Sequence, residues 1–398
     1  MFQEIGSQLK FLLITASLCC LTIFSVHKAM AEDGVTENKI IIGQSCALKG
    51  PAKALGQGVR DGALAYFNHV NAKGGINGKI IQLVTLDDGY EPKACVTNTN
   101  LLIEKDRVFL LFGYVGTPTS KAVFDIVRKT KIPFFAPFTG AEFLRNPVTK
   151  GIYNIRASYF QETEAMVDIL LENQKKHISV FYQGDSFGEA GLKGVKIALQ
   201  KRGMKILSKA SYERNTLDVE NTVSEIAISN PDAVIMIGAY KPCAKFIHLM
   251  REKTTSRPIF LNVSFVGADA LAETLLNKGL GVVVSQVVPY PFDKRIPVVA
   301  EYHQMTQKYM TESKISFMGM EGFIAAKALC RVLQKMNHFT RPEFMRKADS
   351  MNENLGGFKV HFTPKNHQGS DLVHFTQIGP GGSISNIDNL NQLYKYWD

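Results

Sequence analysis

The sequence predicts an α/β protein made of two doubly wound parallel-sheet lobes joined by a multi-strand hinge. Strand-length apolar runs alternate with helical patterns roughly every 35 residues, the rhythm of β-α-β units. Several of these runs are apolar throughout, as strands covered on both faces are. After a second α/β unit, two further helical segments have no partner strands near them, so the chain returns to the first lobe.

The stretch from Val108 to Ala141 organises the chain. Val108–Phe112 reads as a buried strand, and Gly113-Tyr-Val-Gly116 turns the backbone. Thr117 then has the place of a helix N-cap, with Pro118 at the first helical position, where a missing N–H costs nothing. The strand Ile132–Ala136 follows and runs into Pro137-Phe-Thr-Gly-Ala141. Neighbouring strands thus deliver Gly116 and Thr117, and Phe138, Thr139 and Gly140, side by side. Threonine hydroxyls beside a helix N-terminus suit an anionic group, most simply a carboxylate. On this stretch alone, two ordinary capping threonines explain the pattern equally well.

In chain order, Lys39–Gly43 predicts a strand and Gly56–Asn71 a helix, closed by Asn71-Ala-Lys-Gly-Gly75. Ile80–Leu86 predicts the second strand, ending in Asp87-Asp88, and Pro92–Lys105 the next helix. The pattern restarts near Ile152–Arg156. Helices are predicted over Glu162–Lys175, Gly188–Arg202, Val219–Ser229 and Pro242–Lys253. Strands are predicted over Ile178–Tyr182, Ile206–Ser211, Ala233–Ile237, Ile259–Asn262 and the valine run Gly281–Pro289. Val298–Thr311 and Met318–Met336 are the returning helices, and Phe358–Phe362 and Leu372–Ile378 the late strands. This places one lobe at 32–156 plus 286–363 and the other at 157–285 plus 364–398, with residues 1–31 outside both.

Those first residues read as a targeting segment. Lys10 precedes an apolar run, Phe11–Phe24, and Ala29-Met-Ala31 offers an A-x-A cleavage site. Leu18 and Cys19 stand where a lipoprotein signal wants a small residue, so export and release are expected. The alternative is an uncleaved anchor. Without residues 1–31 the formal charge is +9, against +10 for the whole chain. The lysines and arginines are scattered and no aromatic residues interleave them, which excludes a nucleic-acid surface of the usual kind.

Cys46, Cys95, Cys243 and Cys330 remain, with no CxxC and no zinc spacing. Cys46 lies past the first strand and Cys95 in the first turn of the helix after its neighbour, so a Cys46–Cys95 disulfide is expected. No HExxH or phosphate loop appears, and neither a metal nor a cofactor is expected. Gly184-Asp-Ser-Phe-Gly188 matches the GxSxG nucleophile elbow between a strand and a helix, which keeps a serine hydrolase open as an alternative. Tyr114, Phe138, Phe187 and Tyr240 each follow a predicted strand. Ligands of open α/β sheets bind beyond the carboxyl ends of the strands, so these rings are expected to wall a cleft above Thr117 and Thr139.

Gly50-Pro51 with Gly56, Asn71-Ala-Lys-Gly-Gly-Ile76, Asp87-Asp88 with Pro92-Lys93, Phe187-Gly-Glu189 and Gly238-Ala-Tyr-Lys-Pro242 occur in this order. On these segments the chain resembles the leucine/isoleucine/valine-binding proteins of bacterial ABC importers, a type I periplasmic binding fold. The resemblance implies a monomeric periplasmic protein that closes two lobes on a small carboxylate or amino acid and delivers it to an ABC permease, without catalysis. A sensory subunit docking a receptor is the alternative on the same fold. It further implies that Ser45, Gly116, Thr117, Phe138, Thr139 and Gly140 line the ligand's acid end, and that Phe187 and Tyr240 close from the second lobe. Leu55 stands where the family can carry an aromatic residue against the ligand's side chain. Ser264 stands where the family's amine-binding carboxylate would fall, which points to an amine-free analogue as an alternative to a branched-chain amino acid. A small disulfide of some relatives would need cysteines at Tyr90 and Gly116, and neither is one.

Overall fold

Helix and strand periods follow the apolar pattern closely enough that most elements form where their spacing predicts. The computed structural model describes residues 32–395, so the expected targeting segment lies outside the described residues. The first lobe begins β1 (Lys39–Cys46), α1 (Lys53–Ala72), β2 (Ile80–Asp87) and α2 (Pro92–Asn100). It continues with β3 (Leu110–Phe112), α3 (Thr117–Thr130), β4 (Phe134–Phe135) and β5 (Ile152–Tyr153). These strands form one parallel sheet in the order β2-β1-β3-β4-β5.

The second unit runs α4 (Tyr159–Glu172), β6 (Ile178–Gln183), α5 (Ser186–Gln200), β7 (Lys209–Tyr212), α6 (Glu220–Ile228) and β8 (Ala233–Ile237). Then come α7 (Tyr240–Lys253), β9 (Ile259–Asn262), α8 (Ala268–Leu275) and β10 (Val283–Gln286). The chain then supplies α9 (Pro297–Tyr309), α10 (Phe317–Gln334) and α11 (Arg341–Ala348), and α9 and α10 pack on α1 of the first lobe. A small hairpin, β11 (Asn352–Asn354) and β12 (Lys359–His361), precedes β13 (His374–Ile378) and β14 (Ile384–Ile387). The second sheet has the order β14-β13-β10-β9-β8-β6-β7, parallel from β10 to β7 and antiparallel through β13 and β14. The chain therefore passes between the sheets after β5, after β10 and again before β13. Gln368 still pairs with Asn154 beside β5 on the way.

β3 and β4 are shorter than their apolar runs. Pro133 has no N–H to give the ladder, and Gly113 and Ala136 take positive φ of 58° and 54°. Both strand ends thus bend at matching places, and pairing resumes at a single parallel bridge, Val115–Phe138. This shared bend sets the two threonine loops side by side. It also corrects one expectation: past Gly113 the Tyr114 ring turns into the lobe, packing on Phe134 at 5.1 Å with its hydroxyl 3.0 Å from Thr99 Oγ1. Tyr114 is core and no part of the cleft wall.

The Cys46–Cys95 disulfide is corrected as well, since both are free, buried thiols. Successive residues of a strand face opposite sides of the sheet. Ser45 points to α2, where Asn98 reaches it at 3.1 Å, so Cys46 points to α1 and its thiol lies 3.7 Å from the Gly56 carbonyl. Cys95, on α2, lies on the other face. Burial pushes both thiols up, which keeps them protonated.

Candidate functional site

The floor of the site is the pair of bent strand ends. Thr117 Oγ1 and Thr139 Oγ1 lie 2.7 Å apart, both buried. Thr117 is the first residue of α3 and not its cap. That place belongs to Gly116, whose φ of 107° suits only glycine. The ring of Tyr90 leaves no room there either, since a Cβ on Gly116 would sit 2.2 Å from Tyr90 Cε2. Positions 90 and 116 thus hold a tyrosine packed on a glycine. Thr139 Oγ1 also accepts the Ala141 N–H at 3.2 Å and lies 3.4 Å from the Tyr159 hydroxyl. Gly140 lies under Tyr159, whose N–H it accepts at 2.8 Å.

Arg145 clamps this floor from behind. Its Nη1 donates to the Ala141 carbonyl at 2.9 Å, and its Nη2 to those of Thr139 and Arg156 at 3.2 and 3.1 Å. Burial lowers its pKa to about 10, so it remains a cation. A cation below two hydroxyls and a helix N-terminus makes a consistent anion seat.

The second lobe closes over this floor with aromatic side chains. Phe265 lies 5.5 Å from Phe138, 4.6 Å from Phe187 and 5.9 Å from Tyr90 between ring centres. Phe187 also touches Tyr159 at 5.4 Å. Leu55, in the first turn of α1, packs against Gly267 beyond Phe265. Tyr240 opens α7 and is buried, with the Ala54 backbone at its hydroxyl. Of the expected residues, Phe138 and Phe187 meet in the ring cluster around Phe265, next to Thr139, while Leu55 and Tyr240 lie further along the cleft on their own contacts. Ser45 does not join them: its hydroxyl donates to Asp88 Oδ2 at 2.7 Å, and Asp88 is pushed up to about 6 by burial. Asp185 in the GxSxG stretch caps α5, accepting the Phe187 N–H at 2.9 Å, and also takes Arg214 at 3.1 Å.

Sequence reasoning missed the wall of the site, a charged cluster around Arg156. This residue follows β5 and is fully buried. Its guanidinium lies 4.8 Å over the Phe138 ring, and Nη2 donates to Ser264 Oγ and approaches Glu162 Oε1 at 3.4 Å. Glu162 is fully engaged. It accepts the Ser264 N–H at 2.7 Å, the Ser264 hydroxyl at 3.0 Å and the Ser285 hydroxyl at 2.5 Å. Glu321 of α10 stands 3.6 Å from Arg156 Nη1, and burial, offset by that arginine, pushes its pKa up to about 7. The available signal was a charge at Arg156 inside the otherwise uncharged run Ile152–Tyr159.

Two α/β lobes joined by several chain crossings have counterparts among known proteins. The periplasmic binding protein family matches residues 39–383. The chain belongs to this family.

This periplasmic binding protein is 34% identical to a possible leucine/isoleucine/valine-binding protein from Rhodopirellula baltica. That crystal structure covers 92% of this chain and 100% of its own, with a TM-score of 0.85. An amino acid binding protein of Pseudomonas aeruginosa is 24% identical over 59% of this chain, and the match spans 63% of that protein's length. A Leu/Ile/Val-binding protein homolog 7 of Brucella suis is 20% identical over 88% of this chain and 92% of its own. The family is periplasmic. Its members bind without transforming, and this chain is a binding protein and not an enzyme. Ser186 is accordingly no nucleophile. Among the described residues no helix is long and apolar enough to cross a membrane.

Proposed function

We propose that this periplasmic binding protein captures a small carboxylate-bearing solute for an ABC importer. In this reading residues 1–31 are removed on export and the mature monomer works in the periplasm. The lobe 32–156 plus 286–363 closes on the lobe 157–285 plus 364–398, and the permease reads the closed pair. The ligand is a branched-chain or related amino acid, as the names of the Rhodopirellula and Brucella relatives suggest for those proteins, or an amine-free analogue.

One observation carries the reading: Thr117 and Thr139 are buried 2.7 Å apart at the N-terminus of α3, with a clamped arginine behind them and the other lobe's aromatic residues in front. Such a seat favours an anion, and the closed state gains by its extra contacts with that anion. Non-denaturing mass spectrometry of protein released from its own host's periplasm tests this. A single small acid should be retained by the wild type and lost from Thr117→Val. Retention of a ligand without an acid group would overturn the reading.

A further inference from the structure

We propose that Arg156 selects the ligand: the solute carries an oxygen acceptor beside its carboxylate, as in a 2-oxo, 2-hydroxy or dicarboxylic acid, and no ammonium. This rests on the carboxylate reading of the threonine pair and adds the chemistry of the neighbouring group. Arg156 is fully buried, yet its Nε and Nη1 have no hydrogen-bond acceptor. Buried guanidinium N–H groups without partners are costly, so the wall is unfinished without a ligand atom that accepts.

Position ties this wall to the threonine floor. The guanidinium covers Phe138, the residue before Thr139, and lies 6.0 Å over the Tyr159 ring, whose hydroxyl reaches Thr139. A group attached next to a carboxylate seated on Thr117 and Thr139 therefore meets Arg156. An ammonium there would face the Arg156 cation and would compete with it for the nearby acids. Glu162 already holds four donors, from Ser264, Ser285 and Arg156. Glu321 is the remaining acid, and its place beside Nη1 is a loose one at 3.6 Å. An acceptor oxygen has the opposite fate, since it completes the guanidinium. The apolar rings of Phe138, Phe187 and Phe265 leave the rest of such a ligand apolar and compact.

Isothermal titration of matched acids tests the assignment: leucine, 4-methyl-2-oxopentanoate and 4-methylpentanoate, the phenylalanine, phenylpyruvate and 3-phenylpropanoate set, and succinate with 2-oxoglutarate. Hydrogen bonds to charged groups predict that an oxo acid or dicarboxylate binds about tenfold to a hundredfold more tightly than the plain acid, with the amino acid weakest. The charge-balanced variant Arg156→Met with Glu162→Gln should lose the preference for the oxo acid or dicarboxylate over the plain acid. Amino acids binding as tightly as their oxo counterparts would overturn the proposal, and so would no binding by any member at millimolar concentration. A preference that survives in the double variant would overturn the role of Arg156. The wild-type panel decides the ligand class even where the double variant does not fold. Thr117→Val separates the two levels: it should weaken every acid that binds, and if it weakens none, the carboxylate seat itself is misplaced.

Discussion

In the proposed site, the floor and the wall of the cleft would recognise charge by different means. The floor uses neutral hydroxyls at a helix N-terminus, built from two strand ends adjacent in one sheet. The wall uses an ion pair assembled from β5's end, α4, the loop after β9, β10 and α10. Removing a hydroxyl from the floor costs the ligand little beyond its own hydrogen bond. Removing a charge from the wall strands the opposite charge in a buried site, so the wall couples ligand recognition to folding.

The largest contrast should come from Arg156→Met. With Glu162 left buried and unpaired, ligand-free stability should fall by about 3–5 kcal/mol in urea denaturation. Adding Glu162→Gln should restore most of that loss. A single variant as stable as the double would show that the pair does not hold the wall together.

Next comes the pH dependence of the wall. Glu321 is raised from 4.5 to about 7, first by burial and further by Glu162, with Arg156 and Arg145 opposing. An acid whose folded pKa is raised binds protons more tightly when folded, so its share of stability is full below about 4.5 and lost as pH rises through about 7. That share is about 3 kcal/mol and should vanish in Glu321→Gln. Asp88 and Asp269, both pushed up to about 6, contribute slopes of the same sign that remain in the variant. Identical pH profiles for wild type and Glu321→Gln would contradict this account.

Gly116→Ala probes the floor's backbone alone. Strain at φ 107° and the Tyr90 ring 2.2 Å from the new Cβ should cost about 1–3 kcal/mol. Tyr90→Ala in the same chain should recover the ring's part and leave the strain. No recovery would mean that the contact with Tyr90 contributes nothing.

The same contrast explains what the sequence disclosed. Thr117, Phe138 and Thr139 were legible because one continuous stretch contains both strands and both loops, and strand order puts them together. The order of strands and helices was legible for the same reason. The cap at Gly116 and the inward turn of Tyr114 were not, because each depends on a single positive φ that periodicity does not carry. The disulfide expectation failed on the facing of Ser45 and Cys46, one residue apart on β1. Arg156, Glu162, Ser285 and Glu321 carry no shared motif, and only the closure of two sheets brings them to Ser264.

The central claim is that the ligand's carboxylate sits on the threonine pair, and Thr117→Val tests it most directly. Thr117 Oγ1 bonds Thr139 and the Tyr159 hydroxyl and caps nothing, so the fold should lose about one net hydrogen bond, roughly 0.5–1.5 kcal/mol. Calorimetric titration with the natural ligand should show a Kd about tenfold to a hundredfold weaker than wild type. An unchanged Kd would place the carboxylate elsewhere and contradict the account.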